Sequence, residues 1–566
     1  MPLFVKVLIA SLLLFSCGEA PDEAKTRAKI FLNGTIYTGN DANPVVEAVV
    51  VEDNRITFAG DEVEARASAG DGAEIVDLKA SFMYPGFTDG HAHLLGIGQR
   101  EMVLKLEGSL SLAEVLSRLK EAVEATPPGQ EIYGMGWIET HWPEVRVPNR
   151  HDLDSVTTAH AVFLMRSDGH TGIANTRALE LLGITRDTPD PAGGMIIREE
   201  DGTPNGVLID AAMEIGSFHF LAALNQQREA AYGKSSDFLG SHGWTTIHNM
   251  WHDYDDYALI ERLADEGKIK LRVYNSVQGF FTSKGVNPQA LDLLQNGPRQ
   301  NTDGRVVTRA IKLYMDGSLG SRSALLLEPY EGSDASGLLL ADKDIYLELM
   351  KKALRAGIQI NTHAIGDGGN RLLLDWYEEA FAAVPADQRA IAEPRWRDEH
   401  TQILNLADIP RFAELGVIPS MQPSHAIGDL HFAPERLGLE RLAGAYAWRL
   451  LIDAGAIIAG GTDAPVERGD PRVEFYAAVA RKDLSGFSAE GWHPELAVSR
   501  EEALKMFTIW PAYAAFMEDD LGTIEVGKLA DFTVFSGDIM TIPEAEILEV
   551  EVVMTVVDGK IIYRRD

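Results

Sequence analysis

The chain reads as an α/β protein: an eight-stranded parallel barrel with a small sheet domain contributed by its two ends. Three observations carry this reading. Strand-like apolar runs alternate with helix-like segments through the second half of the 566 residues, the rhythm of a parallel sheet with crossover helices. Counted with one run near residue 85, the barrel candidates number eight, the number that closes a parallel barrel. Both chain ends are rich in short strands and tight turns instead. A hydrophobic content of 45% and a charged content of 24% are those of a globular protein with a full core.

Taken in order, residues 1–27 form a signal and tether. Lys6 precedes an apolar run from Val7 to Phe15, which is too short to span a bilayer. Leu14-Phe15-Ser16-Cys17 resembles the bacterial lipobox, in which the cysteine is lipidated, although Phe15 replaces the usual small residue. The polar "GEAPDEAKT" that follows suits a flexible tether. The expected location is therefore the bacterial cell envelope, with the protein held as a membrane-anchored lipoprotein through Cys17. Because Cys17 is the single cysteine, disulfides within the chain and cysteine-based zinc sites are excluded.

Residues 28–84 alternate apolar and polar residues around Asn-Gly and Asp-Asn turns and read as hairpins. Residues 516–566 look alike, so the two pieces are expected to form one small domain. The barrel is assigned to 85–470, with its last helices in 471–515. Its strands are expected in "FMYPGFTDGHAH", then at 245–250, 271–277, 309–317, 358–367, 396–404, 417–423 and 456–465. Between the first two lies an insertion, 97–235, read as having its own helices, such as "SLAEVLSRLKEAVEAT", and turns, and expected to sit over the active-site face and shape substrate access.

His91 and His93 flank Ala92 at the end of the first candidate strand, where side chains two residues apart share a face. With 15 histidines in 566 residues, such a pair arises by accident roughly one time in three. The pair gains meaning from Lys312, His363, His400 and Asp463, which lie at or near the C-terminal ends of the fourth, fifth, sixth and eighth candidate strands. Barrel enzymes build their chemistry at those ends. Four imidazoles and a carboxylate on one rim form a metal site by ligand type, and zinc suits it.

The motifs "GFTDGHAH", "IKLYMDGSLGSRSA", "INTHAIGDGGN", "DEHTQI", "GGTDAPVE" and "GKLADFTV" resemble the amidohydrolase superfamily. More narrowly, they are similar to its YtcJ-like branch, which includes N-substituted formamide deformylases. The resemblance implies a TIM-type (β/α)8 barrel with a small β-sandwich built from both chain ends. It also implies that His91, His93 and Asp463 hold one metal and that His363 and His400 hold a second. Lys312 matches the position of a carboxylated lysine bridging two metals, so one or two zinc ions are expected. A protonated ammonium offers no acceptor to a cation, whereas CO2 added to the neutral amine makes an anionic oxygen ligand.

The expected activity is hydrolysis of a C–N bond in a small-molecule amide, formamide or cyclic amide, other than an ordinary peptide bond. A metal-activated water is the nucleophile and Asp463 the general base. Two alternatives stand beside it: a dipeptidase- or lactamase-type hydrolase on the same frame, and a noncatalytic envelope protein that binds metal or solute. Asp168 and His170 in the insertion, His248 on the second strand, and Asp316 and Arg322 after the fourth are candidate substrate contacts, with loop ordering the competing role. A net charge of −34 and the absence of a basic stripe argue against nucleic acid as a partner. A homo-oligomer is left open by the sequence.

Overall fold

Eight parallel strands surround a buried axis in the computed structural model, which describes residues 27–139, 142–144, 146–166, 171–191, 194–250, 256–281, 285–488 and 490–566. They are β1 (Phe87–Ala92), β2 (Trp244–Met250), β3 (Arg272–Gln278), β4 (Val306–Tyr314), β5 (Gln359–Ala364), β6 (Arg397–His400), β7 (Ile418–Met421) and β8 (Ala459–Gly460). Each pairs in parallel with the next, from β1 through to β8. All of β1 and β2 is buried, as expected for parallel strands covered on both faces.

The seam between β8 and β1 closes through irregular hydrogen bonds. The Asp463 N–H donates to the His91 carbonyl at 2.6 Å, and the His93 N–H donates to the Ala464 carbonyl at 2.7 Å. Gly90 permits this approach, since a Cβ there would stand 2.5 Å from the Gly460 carbonyl oxygen. The eighth strand is much shorter than the expected run, because the chain turns at Gly460-Gly461 to bring Asp463 onto the rim.

Helices fall where the sequence places them. Lys343–Ala356 starts at Asp342, whose carboxylate accepts the Ile345 N–H, and ends at Gly357 in the left-handed region with φ 70°. Around the barrel axis the strands carry polar side chains that satisfy one another: Asn249 donates to Asn275 at 3.0 Å, Asn275 to Thr308 at 3.2 Å, and Asn361 to Ser276 at 2.7 Å.

Both chain ends build the sandwich. One sheet runs Arg55–Gly60, Ala48–Glu52, Lys29–Leu32, Glu74–Asp77. The other runs Lys560–Arg564, Val552–Val557, Phe532–Phe535, Phe82–Pro85, Thr35–Tyr37, Val45–Val46. Phe31, Val49 and Val76 of the first pack with Ile36, Met83, Phe532 and Val556 of the second in one core. Arg272 of β3 ties this unit to the barrel, with Nε 2.6 Å from an Asp531 oxygen and a second contact to Asp558, and both Arg272 and Asp531 are almost fully buried.

The segment after β1 contains a six-stranded mixed sheet, from Gly194–Arg198 at one edge to Leu104–Lys105 at the other. The sequence reading anticipated helices and turns there rather than a sheet. The helix Leu94–Met102 packs on Arg228–Ser241 so closely that a Cβ on Gly98 would fall 1.8 Å from the Ala231 carbonyl oxygen. Trp137 and Trp142 belong to the core of this unit. Among the described residues, no helix is long and apolar enough to cross a membrane. Cys17, Asp168 and His170 lie outside the described residues.

Candidate active site

His91, His93, Lys312, His363, His400 and Asp463 converge on one cavity of about 390 Å3 at the C-terminal rim of the barrel. The ring centroids of His91 and His400 are 4.7 Å apart and those of His363 and His400 are 4.5 Å apart. Metal-ligating atoms of His91, His93 and Asp463 all lie within 4.8 Å of one another, and so do those of His400, His425 and Asp463.

The hydrogen bonds assign the tautomers of three imidazoles. His91 Nδ1 lies 2.6 Å from a Glu399 oxygen, and His93 Nδ1 lies 2.7 Å from the Met250 carbonyl. Both partners only accept, so each Nδ1 carries the proton. His400 Nδ1 faces Gln422 Oε1 at 2.9 Å, and the Gln422 amide is oriented by its donation to the Ser420 carbonyl. In a neutral ring so fixed, Nε2 is the nitrogen open to a ligand. His91 Nε2 is buried without a hydrogen-bond partner. His93 Nε2 faces Asp463 Oδ1 at 3.0 Å and His91 Nε2 faces it at 3.5 Å. With His91 Nε2 buried and unpartnered and the donor atoms of His91, His93 and Asp463 within 4.8 Å of one another, the set fits a divalent metal.

Charge states agree with that fit. Burial and the nearby Lys312 push the His91 imidazole down to about 4, against the pull of Glu399, and His363 is pushed down to about 3 by the same two causes. Both are neutral at pH 7, as metal ligation requires. Burial acts to raise the Asp463 carboxyl, but its contact with His93 and the surrounding imidazoles hold it well below the usual carboxylate range. Burial lowers the Lys312 amine to about 8, although Glu399 and Asp463 pull it up.

His363 departs from the pattern, since its Nε2 lies 3.2 Å from the Gly317 carbonyl and its ring stands beside His400. Three other expected contacts take structural places. His248 is fully buried below the rim with Nδ1 2.9 Å from Arg397, and it does not line the cavity. The Asp316 carboxylate accepts the N–H groups of Leu325 (2.8 Å), Ile365 (3.0 Å) and Gly366 (2.9 Å), which orders the loop. Arg322 stands on the outside, 38% exposed, near Glu435.

Residues that the sequence reading did not single out complete the wall. His425, in the short helix Pro423–Asp429 after β7, has Nε2 3.6 Å from Asp463 Oδ2 and Nδ1 3.0 Å from the Gln402 amide. Glu467 and Asp429 also line the cavity. Among the described residues, none from 97–235 lines it, and the wall comes instead from the segments after β4, β6, β7 and β8. The strands of that segment pair with one another in a separate sheet, and Asp168 and His170, the residues expected to reach the substrate from it, lie outside the described residues.

A parallel barrel whose rim gathers imidazoles around a carboxylate is an arrangement that suits a metal-dependent hydrolase. The amidohydrolase family model matches residues 74–563, and the chain belongs to that family. It is 30% identical over 547 residues to YtcJ of Bacillus subtilis (strain 168), across 95% of this chain and 99% of that protein. It is 28% identical over 558 residues to the N-substituted formamide deformylase of Arthrobacter pascens, across 95% of this chain and 99% of the relative. The crystal structure of an uncharacterized metal-dependent hydrolase from Pyrococcus furiosus aligns with a TM-score of 0.71 at 29% identity, across 91% of this chain and 100% of that one.

Proposed function

We propose that the protein hydrolyses a C–N bond in a small-molecule amide, formamide or cyclic amide. The observation that carries this is the convergence of ligand atoms of His91, His93 and Asp463, within 4.8 Å of one another, in a rim cavity. The deformylase relative supports the choice of bond. A divalent ion at His91, His93 and Asp463, zinc by ligand type, with Lys312, His363 and His400 available to a second, supplies polarisation of the scissile carbonyl and a water of lowered pKa.

Asp463 takes one proton from the attacking water as its oxygen bonds the carbonyl carbon. The same carboxyl then gives that proton to the nitrogen as the C–N bond breaks, leaving a carboxylic acid and an amine. With its amine lowered to about 8, Lys312 keeps a neutral fraction near pH 7 that can add CO2 and become an oxygen ligand. The test is metal analysis of protein purified without chelator, together with a hydrolysis screen over formamides, amides, lactams and dipeptides. Turnover of formamides or amides supports the reading. Turnover of unstrained cyclic amides supports it equally, turnover confined to dipeptides or strained β-lactams moves it to the dipeptidase- or lactamase-type alternative, and bound metal without any turnover favours a binding protein.

We further propose that Cys17 carries lipid and anchors the protein in the cell envelope, on the strength of the lipobox-like sequence that ends there. Radiolabelled lipid should enter the wild type and be absent from Cys17→Ser; label persisting in the variant would remove the claim.

A further inference from the structure

The three imidazoles with assigned tautomers do not receive equivalent partners. His93 is held by a backbone carbonyl and His400 by a neutral amide, whereas His91 is held by the Glu399 carboxyl group. Glu399 has no exposed surface, and a lone buried carboxylate is expensive. It pairs with Arg397, whose Nη2 donates to Oε2 at 3.1 Å and whose Nε lies 2.8 Å from Oε1 as an ion-pair contact outside hydrogen-bond alignment. Arg397 also donates to the Gly90 carbonyl at 2.5 Å and Ser420 Oγ at 2.7 Å, with His248 Nδ1 2.9 Å away. An ion pair sealed under a rim cavity is weak evidence of stability, since apolar residues of similar volume often serve as well. It touches the site at one atom only, the His91 Nδ1.

We propose that Glu399 is a positioning residue: it holds His91 as the Nδ1–H tautomer and strengthens Nε2 as a ligand for a divalent cation, with Arg397 as its counter-ion. A carboxylate accepting the distal N–H raises the basicity of a ligating imidazole more than a carbonyl or amide does. Of the three rings, His91 is therefore the one whose hold on the ion is strengthened by a charged partner. This rests on the metal reading of the site.

The test titrates metal-depleted wild type, Glu399→Gln and Glu399→Ala with Zn2+ against a chromophoric chelator, and follows thermal unfolding of the metal-free proteins. Glutamine keeps an acceptor for Nδ1 and removes the charge, so its affinity for Zn2+ should fall about 10-fold, and that of the alanine variant about 100-fold. Where Glu399→Ala does not fold, the glutamine variant decides. A purely structural role would lower the unfolding temperature without moving the Zn2+ affinity. Folded Glu399→Gln that binds Zn2+ within about twofold of a tightly binding wild type overturns the proposal alone. Wild type that takes up no Zn2+ overturns the metal reading and this proposal with it.

Discussion

Asp463 owes its place to its backbone as well as to its charge. Its φ of 59° lies in the left-handed region that a residue with a Cβ adopts at some cost, and its N–H is tied to the His91 carbonyl. That turn aims the carboxylate at three imidazoles at once. Replacing Asp463 by Asn should lower kcat by about 10²–10⁴-fold, the usual worth of a positioned acid–base group, and leave most of the metal bound through His91 and His93. Near wild-type turnover in steady-state assays would contradict the role. The strand-end rule places His400 on the rim, a placement that strict alternation alone would not give. Alternation points Arg397 and Glu399 to one face and His400 to the other, yet with a φ of 79° His400 lines the cavity, while Arg397 and Glu399 are buried without lining it. Glu399 was not legible as a partner of His91, since that contact spans 308 residues and depends on the closed barrel. His425 escaped because it sits in a short helix beyond its strand, where the strand-end rule does not reach.

At the scale of elements, barrel order was legible because five of the eight strand-like runs carry a candidate ligand at or near their C-terminal ends, which a parallel barrel brings to one rim. Helices with an acidic cap and a closing glycine, such as Lys343–Ala356, were legible for local reasons. The sheet after β1 was not, since its strands are short and its pairing mixes parallel and antiparallel neighbours far apart in sequence. Two contacts between elements can be tested by denaturant unfolding. Removing Asp531 leaves the buried Arg272 guanidinium with only Asp558, so Asp531→Ala should cost about 3–5 kcal/mol. A loss under about 1 kcal/mol would show that the pair does not join sandwich to barrel. Gly98→Ala forces a methyl group into the Ala231 carbonyl and should cost about 1–3 kcal/mol through displaced helices, while an unchanged midpoint would contradict the close packing.

Across the whole molecule, a net charge of −34 surrounds a cavity in which imidazoles gather around the Asp463 carboxylate. A cation bound there by the folded chain and not by the unfolded one links binding to stability. Removing metal with a chelator should abolish hydrolysis. It should also lower stability by about 4 kcal/mol relative to protein in metal at 1,000 times Kd, read as a lower unfolding temperature that returns when zinc is restored. Unfolding that ignores the metal would break that link. The account stands most directly on the metal content of protein purified without chelator, measured by elemental mass spectrometry beside a His91→Ala/His93→Ala double variant. One or two divalent ions per chain in the wild type, with at least one lost in the variant, is the expected result. A wild type without a bound divalent ion, or equal content in both proteins, would contradict it.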